Sequence, residues 1–531
     1  MISLIVALPV LSVLLSLFAG FDENWSHLVE TRLSSYLWQT FVLAVGVGII
    51  ALVTGTATAW LVTMCAFPGR AVLRWALLLP LAVPGYLAAY AYTDLLQFAG
   101  PVQTGLRETF DWGRRDYWFP PIRSVGGAIM ILGFTLYPYV YLAARTAFAE
   151  QSGVALEVGR TLGRGPWRSF FRVALPLARP SIVAGLTLVV METLADFGVA
   201  DYCAVDTFAT GVYRTWKGLE SPTTAQQLSS VLLGFVALLV MLELLARRRA
   251  KFHQITHRQT HLRPYRLGLV RGLGALAVCL TPVVIGFGLP AGMFVHMAAT
   301  TGDNRAWEVL TDHAPNTLLL AVIASLIAVV LALLVVYGRR LQQGPVTAVS
   351  KRLAGFGYAV PGTVIAVGLL VPLGWLDQRF NDLTRWLFGS TPGLILTGSI
   401  AAVVIGYQVR FLGVAIALID GGLGRVRRGM DDAARALGAG GWRLLVRVHL
   451  PMLRASLAAA LLLVFVDVAK ELPATLMLRP FNFETLAVRV YQLASDERLE
   501  EASFGALAII ATGLVPVIVL SLLLDRRRSA T

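Results

Sequence analysis

Charge is scarce in this chain. Of its 531 residues only 14% are Asp, Glu, Lys or Arg, where a soluble protein of this length carries roughly 25%. With 56% apolar residues, that shortage excludes an ordinary soluble globule. Cysteine is scarcer still. Cys65, Cys203 and Cys279 lie in or beside apolar runs. Their spacing gives neither a disulfide framework nor a metal site, so they read as small packing hydrophobes. No G-x-x-x-x-G-K-[ST] run occurs, which leaves the chain without a phosphate-cradling loop of its own. No Ser, His and Asp constellation suited to catalysis occurs either, so the chain is not read as an enzyme. The first apolar run, Ile2 to Gly20, has no basic n-region and no evident cleavage site. It therefore reads as a membrane helix and not as a signal peptide, and the missing basic flank suggests a start further upstream.

What the chain has in quantity is apolar runs of about 20 residues, long enough to span a bilayer as helices. They predict helices near 2–20, 36–65, 73–98, 125–148, 178–203 and 228–246, then near 268–290, 315–337, 354–376, 393–419, 453–478 and 503–524. The fold class is thus an all-α polytopic membrane protein with about twelve transmembrane helices. An even number puts both termini on one side. Arginines choose the side: Arg70, Arg74, Arg339, Arg340, Lys351, Arg352, the cluster Arg247–Arg249 and the tail Arg526–Arg528 fall on one face, which is read as cytoplasmic. The net charge of +14 is then explained by orientation against anionic lipid, and no nucleic-acid partner is needed. Residues 247–267 form a basic linker. Its His253, His257 and His261 share a helix spacing, but no cysteine or carboxylate completes a metal site.

A 25-residue segment occurs twice, 275 positions apart. Glu157–Ser181 and Asp432–Ser456 share twelve identities without a gap. Amphipathic, charged loops do not resemble one another by composition alone, so the match indicates duplication. Ala-Val-Pro-Gly at 82–85 recurs at 359–362, and Thr40 pairs with Thr317. The chain divides into a first repeat, 1–246, the linker, and a second repeat, 268–531. With six helices in each, the repeats point the same way, about a pseudo-two-fold axis along the membrane normal. Pro84–Gly85 and Pro361–Gly362 break their helices. Such breaks are expected near a pathway or a tight helix crossing.

Each repeated segment has an acidic lead, a Gly that ends a first helix as its C-cap, an amphipathic stretch, and Leu-Pro. Trp167, Phe170, Phe171 and Val173 supply an apolar face in the first copy, opposite Arg168 and Arg172. Pro176 limits the second helix. The predicted product is a helix–turn–helix on the cytoplasmic surface, fit to fill a groove on a soluble partner or to rest on lipid.

These segments resemble the EAA loop of ABC-importer permeases, with its pattern EAA-x3-G-x9-I-x-L-P. The second copy, within loop 420–452, reads Asp432-Ala-Ala, x3, Gly438, x9, Val448-x-Leu450-Pro451. The first, within loop 150–177, reads Glu157-Val-Gly, x3, Gly163, x9, Val173-x-Leu175-Pro176. The first copy departs from EAA, and Val replaces Ile in both. The resemblance covers the whole chain as two fused permease repeats. It implies a bacterial inner-membrane protein with two copies of an ABC ATPase subunit docked on the loops. ATP and Mg2+ would be used by that partner, and this chain would bind no cofactor. A periplasmic binding protein would deliver substrate on the opposite face. Coupling residues carried over are Glu157, Gly163, Arg168, Arg172, Pro176, Asp432, Gly438, Arg443, Arg447 and Pro451.

Charged groups inside membrane helices are functional candidates. Glu192 and Asp196 stand four apart in the fifth predicted helix, and Asp467 and Glu471 stand 275 positions later. A carboxylate-lined path suits a hard cation such as Fe3+. The alternative is structural pairing with the nearby Lys470 or with Arg410 in the tenth helix. The wider sequence is similar to two-domain ferric-iron permeases in Asp196-Phe-Gly-Val-Ala-Asp201-Tyr202, Phe208–Arg214, Lys470–Thr475, Arg479–Phe483 and Arg489-Val-Tyr491. That likeness implies Fe3+ import, with Glu192, Asp196, Asp467 and Glu471 as transient metal contacts. Thiamine permeases share parts of these segments, so thiamine is the alternative substrate. A major-facilitator transporter also has six plus six helices, but its basic signature loop follows the second helix. Here that loop is only Phe67–Arg74.

Overall fold

The computed structural model describes residues 2–150, 166–248, 264–301, 305–342 and 344–529. Glu157, Gly163 and the three linker histidines lie outside the described residues. Among those described, nine helices are long and apolar enough to cross a membrane, or up to twelve if each of three bent pairs counts as one span. Among the described residues, strand pairing is confined to a two-residue parallel match of Cys65–Ala66 with Tyr265–Arg266. The fold is all-α and polytopic, as the apolar runs require.

The helices used below are α1 (Ile2–Leu15), α2 (Leu33–Met64), α3 (Gly85–Leu96), α4 (Val125–Glu150), α5 (Leu175–Ala195), α6 (Gly198–Tyr202) and α7 (Pro222–Arg248). They continue with α8 (Leu289–Thr300), α9 (Arg305–Leu341), α10 (Gly362–Phe388), α11 (Ile400–Leu423) and α12 (Arg428–Ala436). The last are α13 (Leu450–Ala469), α14 (Pro473–Leu478) and α15 (Leu499–Ser529).

The chain forms two compact units that differ from the sequence repeats. One comprises Met1–Thr31, Gly211–Leu233 and Asp303–Asp496, and the other Arg32–Thr210, Gly234–Gly302 and Glu497–Thr531. In the first unit α9, α11 and α13 pack mutually, and α1 lies along α10. In the second unit the counterpart trio α2, α4 and α5 packs in the same way, with α8 against α15 and α3. So the opening helix of each repeat is built into the unit that holds the core of the other.

Close crossings follow from small residues, the usual device where lipid gives no hydrophobic drive between helices. A Cβ on Gly55 of α2 would stand 2.8 Å from Val140 Cβ and 2.9 Å from the Tyr137 carbonyl of α4. On the outer face of the same helix, Phe41, Ile49 and Val53 are exposed, as suits side chains that meet hydrocarbon.

Both Pro-Gly motifs sit at sharp bends. Arg70–Ala82 and Gly85–Phe110 meet at 89°, and Pro345–Ala359 and Gly362–Phe388 at 117°. The residue before each proline is forced extended, at ψ 111° for Val83 and 126° for Val360. Pro84 and Pro361 follow at ψ 141° and 144°, and a new helix starts at each Gly.

The prolines at 176 and 451 act differently from expectation. They do not separate two helices. In each repeat the chain runs on through a π-turn, Phe170–Ala174 or Leu445–His449, directly into α5 or α13. Proline lacks an N–H, and its ring crowds the carbonyl four residues back. The wider turn relieves that crowding: Leu175 N–H donates to the Phe170 carbonyl and Leu450 N–H to the Leu445 carbonyl, five residues back in each case. The same arrangement precedes Leu289–Pro290, at Val284–Gly288.

Candidate functional site

The repeated carboxylates were expected to share a helix face in pairs. They do not, because each helix ends between them. α5 stops at Ala195 and α13 at Ala469. Asp196 takes an extended conformation, and Asp196 and Glu471 each stand two residues ahead of a short helix. Their oxygens collect the orphan N–H groups of that helix's first turn. Asp196 Oδ1 accepts from Val199 N at 2.8 Å and Ala200 N at 3.3 Å. Glu471 Oε1 accepts from Ala474 N at 3.0 Å, and Oε2 from Thr475 N at 2.9 Å and Thr475 Oγ1 at 2.7 Å. The i+3, i+4 pattern is the same at both sites.

Each carboxylate also meets the Pro-Gly bend of its own unit. A Cβ on Gly85 would lie 3.5 Å from Asp196 Oδ2, and one on Gly362 would lie 3.0 Å from Glu471 Oε1. The carboxylate thus sits by the N-termini of two helices, α3 and α6 or α10 and α14, where a negative charge is favoured. At the second site Arg410 Nη1 lies 3.5 Å from Glu471 Oε1. Tyr407 and Thr475 are joined through their hydroxyls at 2.6 Å.

Glu192 and Asp467 remain on α5 and α13, both half-buried. Asp467 is paired with Lys470 at 2.9 Å. In the second repeat the structural-pairing alternative is seen, with Lys470 on Asp467 and Arg410 on Glu471. Among the described residues no group of three His, Cys, Asp or Glu is placed to hold a metal ion. Glu192 and Asp196 belong to one unit and Asp467 and Glu471 to the other.

In the second repeated segment α12 carries Asp432 and ends in front of Gly438. Gly438 has φ +80°, the left-handed C′ position that favours glycine. Its N–H donates to the Arg435 carbonyl at 2.9 Å, and Ala439 N–H to the Ala434 carbonyl at 3.0 Å. Those two bonds make a Schellman closure. Around it Leu437, Trp442, Arg443, Arg447 and Pro451 are exposed, and Asp432 pairs loosely with Arg435 at 3.9 Å. In the first segment Arg168 and Arg172 are exposed and Pro176 is half-buried. Phe170 is buried against Trp60 at a ring distance of 5.0 Å, while Phe171 points outward. So the apolar face expected there is split between the interior and the surface.

One group escaped the sequence reading. Asp431, beside the motif residue Asp432, is buried, and Arg340 at the end of α9 grips it from both sides. Arg340 Nε donates to Oδ2 at 2.8 Å and Nη2 to Oδ1 at 3.0 Å. His449, in the π-turn before Pro451, brings Nε2 to 2.9 Å from Asp431 Oδ1. Burial alone would raise this carboxyl, but the Arg340 and His449 hydrogen bonds outweigh it and hold the group below the usual carboxylate range. The only sequence signal was the doubling of the aspartate.

Residues 322–529 match the family of binding-protein-dependent transport system inner membrane components. The Fe(3+)-transport system permease protein FbpB 2 of Haemophilus influenzae is 25% identical over 98% of this chain and 96% of its own length. The ferric transport system permease protein FbpB of Actinobacillus pleuropneumoniae is 24% identical over 89% of this chain and 68% of its own length. The molybdenum transport system permease protein ModB of Escherichia coli is 34% identical over 30% of this chain and 69% of its own length. Taken with the broken-helix fold and the paired arginine-rich loops, these likenesses identify the chain as a member of the binding-protein-dependent inner membrane components, a fused permease of an ABC importer.

Proposed function

We propose that this permease passes Fe3+, handed over by a periplasmic binding protein, into the cytoplasm. Two copies of a separate ABC ATPase drive it. They hold the ATP and Mg2+ and dock on the loops of the two repeats, 1–246 and 268–531. Both termini and the basic linker 247–267 lie on the cytoplasmic side, as the arginine distribution requires. The observation that carries the substrate is the likeness to a Fe(3+)-transport permease along 98% of this chain.

The docking surface suits its role. Leu437 and Trp442 are large apolar side chains left exposed on a charged loop, and exposed aromatic anchors rimmed by arginine are what a protein partner buries. Arg443 and Arg447 supply that rim, and Arg168 and Arg172 do so in the first loop. Gly438 ends α12 where the loop must turn, and Gly163 holds the matching sequence position. Glu157 and Asp432 lead the two segments, and Pro176 and Pro451 mark the return to the membrane.

Within the membrane the carboxylates divide the work. Asp196 and Glu471 frame the bends as helix anchors. Glu192 and Asp467, with Lys470 as a releasable partner, contact the passing cation. Coordination must be loose, since a tight site would trap a trivalent ion.

The test is ATP hydrolysis by the reconstituted complex on adding binding protein loaded with Fe3+, thiamine or molybdate. Stimulation by the iron-loaded form alone is expected. Stimulation by thiamine or molybdate alone would keep the importer and discard Fe3+.

A further inference from the structure

The Arg340–Asp431–His449 group ties three elements of one unit together. Arg340 is on the last turn of α9, Asp431 on α12 of the loop, and His449 on the π-turn that leads into α13. Arg340 also clamps the connection before α12: Nη1 donates to the Leu423 carbonyl at 2.8 Å and Nη2 to the Val426 carbonyl at 2.9 Å. Four hydrogen bonds from one guanidinium leave it little freedom. Asp431 faces two donors, so it is an ionised acceptor and His449 Nε2 carries the proton. His449 is fully buried, and its Nδ1 has no hydrogen-bond partner among the described residues. Tyr337 of α9 covers the ring edge-on at 5.5 Å, and its hydroxyl donates to the Gly441 carbonyl at 2.6 Å. The charged and titratable groups around Asp431 include Arg340, His449 and Tyr337, from α9 and the π-turn, and Asp420, Arg428 and Arg435, which line the same cavity.

None of the three residues recurs in the first repeat. At the matching positions stand Thr63, Leu156 and Ala174. A group needed merely to fold such a loop would be expected in both copies, whereas this one is present once.

We propose that Arg340, Asp431 and His449 form a brace through which the second loop, and not the first, moves α9 and α13 as one body. The inference rests on the reading of the loop as the ATPase-docking element. All three are positioning residues: they touch neither substrate nor nucleotide. Rigid, desolvated ion pairs of this kind transmit displacement without slack, since breaking one leaves a buried charge unpaired.

The experiment uses the full chain assembled with its ATPase and iron-loaded binding protein in vesicles, and reads three quantities: ATPase retained on co-purification, ATP hydrolysed, and iron delivered per ATP. For Asp431→Asn we expect retained ATPase and continued hydrolysis, with iron delivered per ATP at least fivefold lower. Asp431→Glu should recover most of that ratio, and His449→Gln should fall between. An unchanged ratio in assembled Asp431→Asn overturns the brace. So does a Glu variant no better than Asn. Failure of both Asp431→Asn and His449→Gln to assemble would also overturn it, by making the group a folding element. If the wild-type chain itself retained no ATPase, the docking reading would fall first and the brace with it.

Discussion

Gly362 and Glu471 are in contact across a membrane bend: a methyl group on Gly362 would stand 3.0 Å from Glu471 Oε1 and 2.3 Å from Arg410 Nη1. The same relationship holds in the other repeat between Gly85 and Asp196, more loosely, at 3.5 Å. The glycine is therefore what lets a helix N-terminus approach a carboxylate that is already anchoring another helix.

Gly362→Ala should push the Arg410 guanidinium off Glu471, because the end of a long side chain yields before backbone does. Lost transport with retained fold is expected, at about 1–2 kcal/mol of stability. Gly85→Ala, whose nearest contacts would be Val199 at 3.0 Å and Leu132 at 3.1 Å, should cost less. Uptake and thermal unfolding of the two purified variants, compared side by side, check the order.

Glu471→Gln places an amide where two oxygens now accept from backbone N–H groups. One buried donor loses its partner, at a cost of about 1–3 kcal/mol. The Arg410 charge also loses its counter-ion. We expect a lower unfolding midpoint in detergent. By contrast, Glu192→Gln combined with Asp467→Asn should cut iron uptake while the complex still assembles. Unchanged uptake in that double variant would remove both residues from the pathway.

At Gly438 nothing stands within 4 Å of an added Cβ, so substitution there tests backbone conformation alone. A β-branched residue in the left-handed region costs roughly 1–2 kcal/mol. Gly438→Val should weaken ATPase retention, and Gly438→Asn should be tolerated far better. Equal retention by both would mean the Schellman closure is dispensable for docking.

The depressed Asp431 carboxyl sets a pH window. Its folded value lies below the unfolded one, so the ion pair's contribution is fully present above the unfolded value of about 3.9 and is lost as pH falls through the folded value. Between pH 5 and 8 the group stays ionised. ATPase retention should thus be flat across that range as far as Asp431 governs it. Asp431→Asn should remove any further loss of loop protection below pH 4, read by hydrogen exchange of residues 428–436.

Most of the architecture was legible because it follows from composition. Apolar runs gave the spans, and the Pro-Gly repeats gave two of the bends. Gly438 was legible as a C-cap because only a left-handed position explains a glycine there. Three things were not. A helix that stops at Ala195 or Ala469 looks the same in sequence as one that continues, because the carboxylate that ends it is equally a plausible pathway group. The π-turns before Pro176 and Pro451 need knowledge of which carbonyl each N–H reaches. The Arg340–Asp431 pair joins residues 91 positions apart, and no local periodicity reports such a contact.

The membership of the two compact units bears on how the chain is made. Ser3 on α1 is hydrogen-bonded to Ser350, 347 positions later, so α1 waits for this neighbour while the intervening chain is made. A chain cut within residues 247–267 would yield two fragments, and neither would hold the segments of a complete unit. Their recovery as a functional transporter would depend on finding each other in the membrane, and either fragment alone would be a substrate for proteolysis.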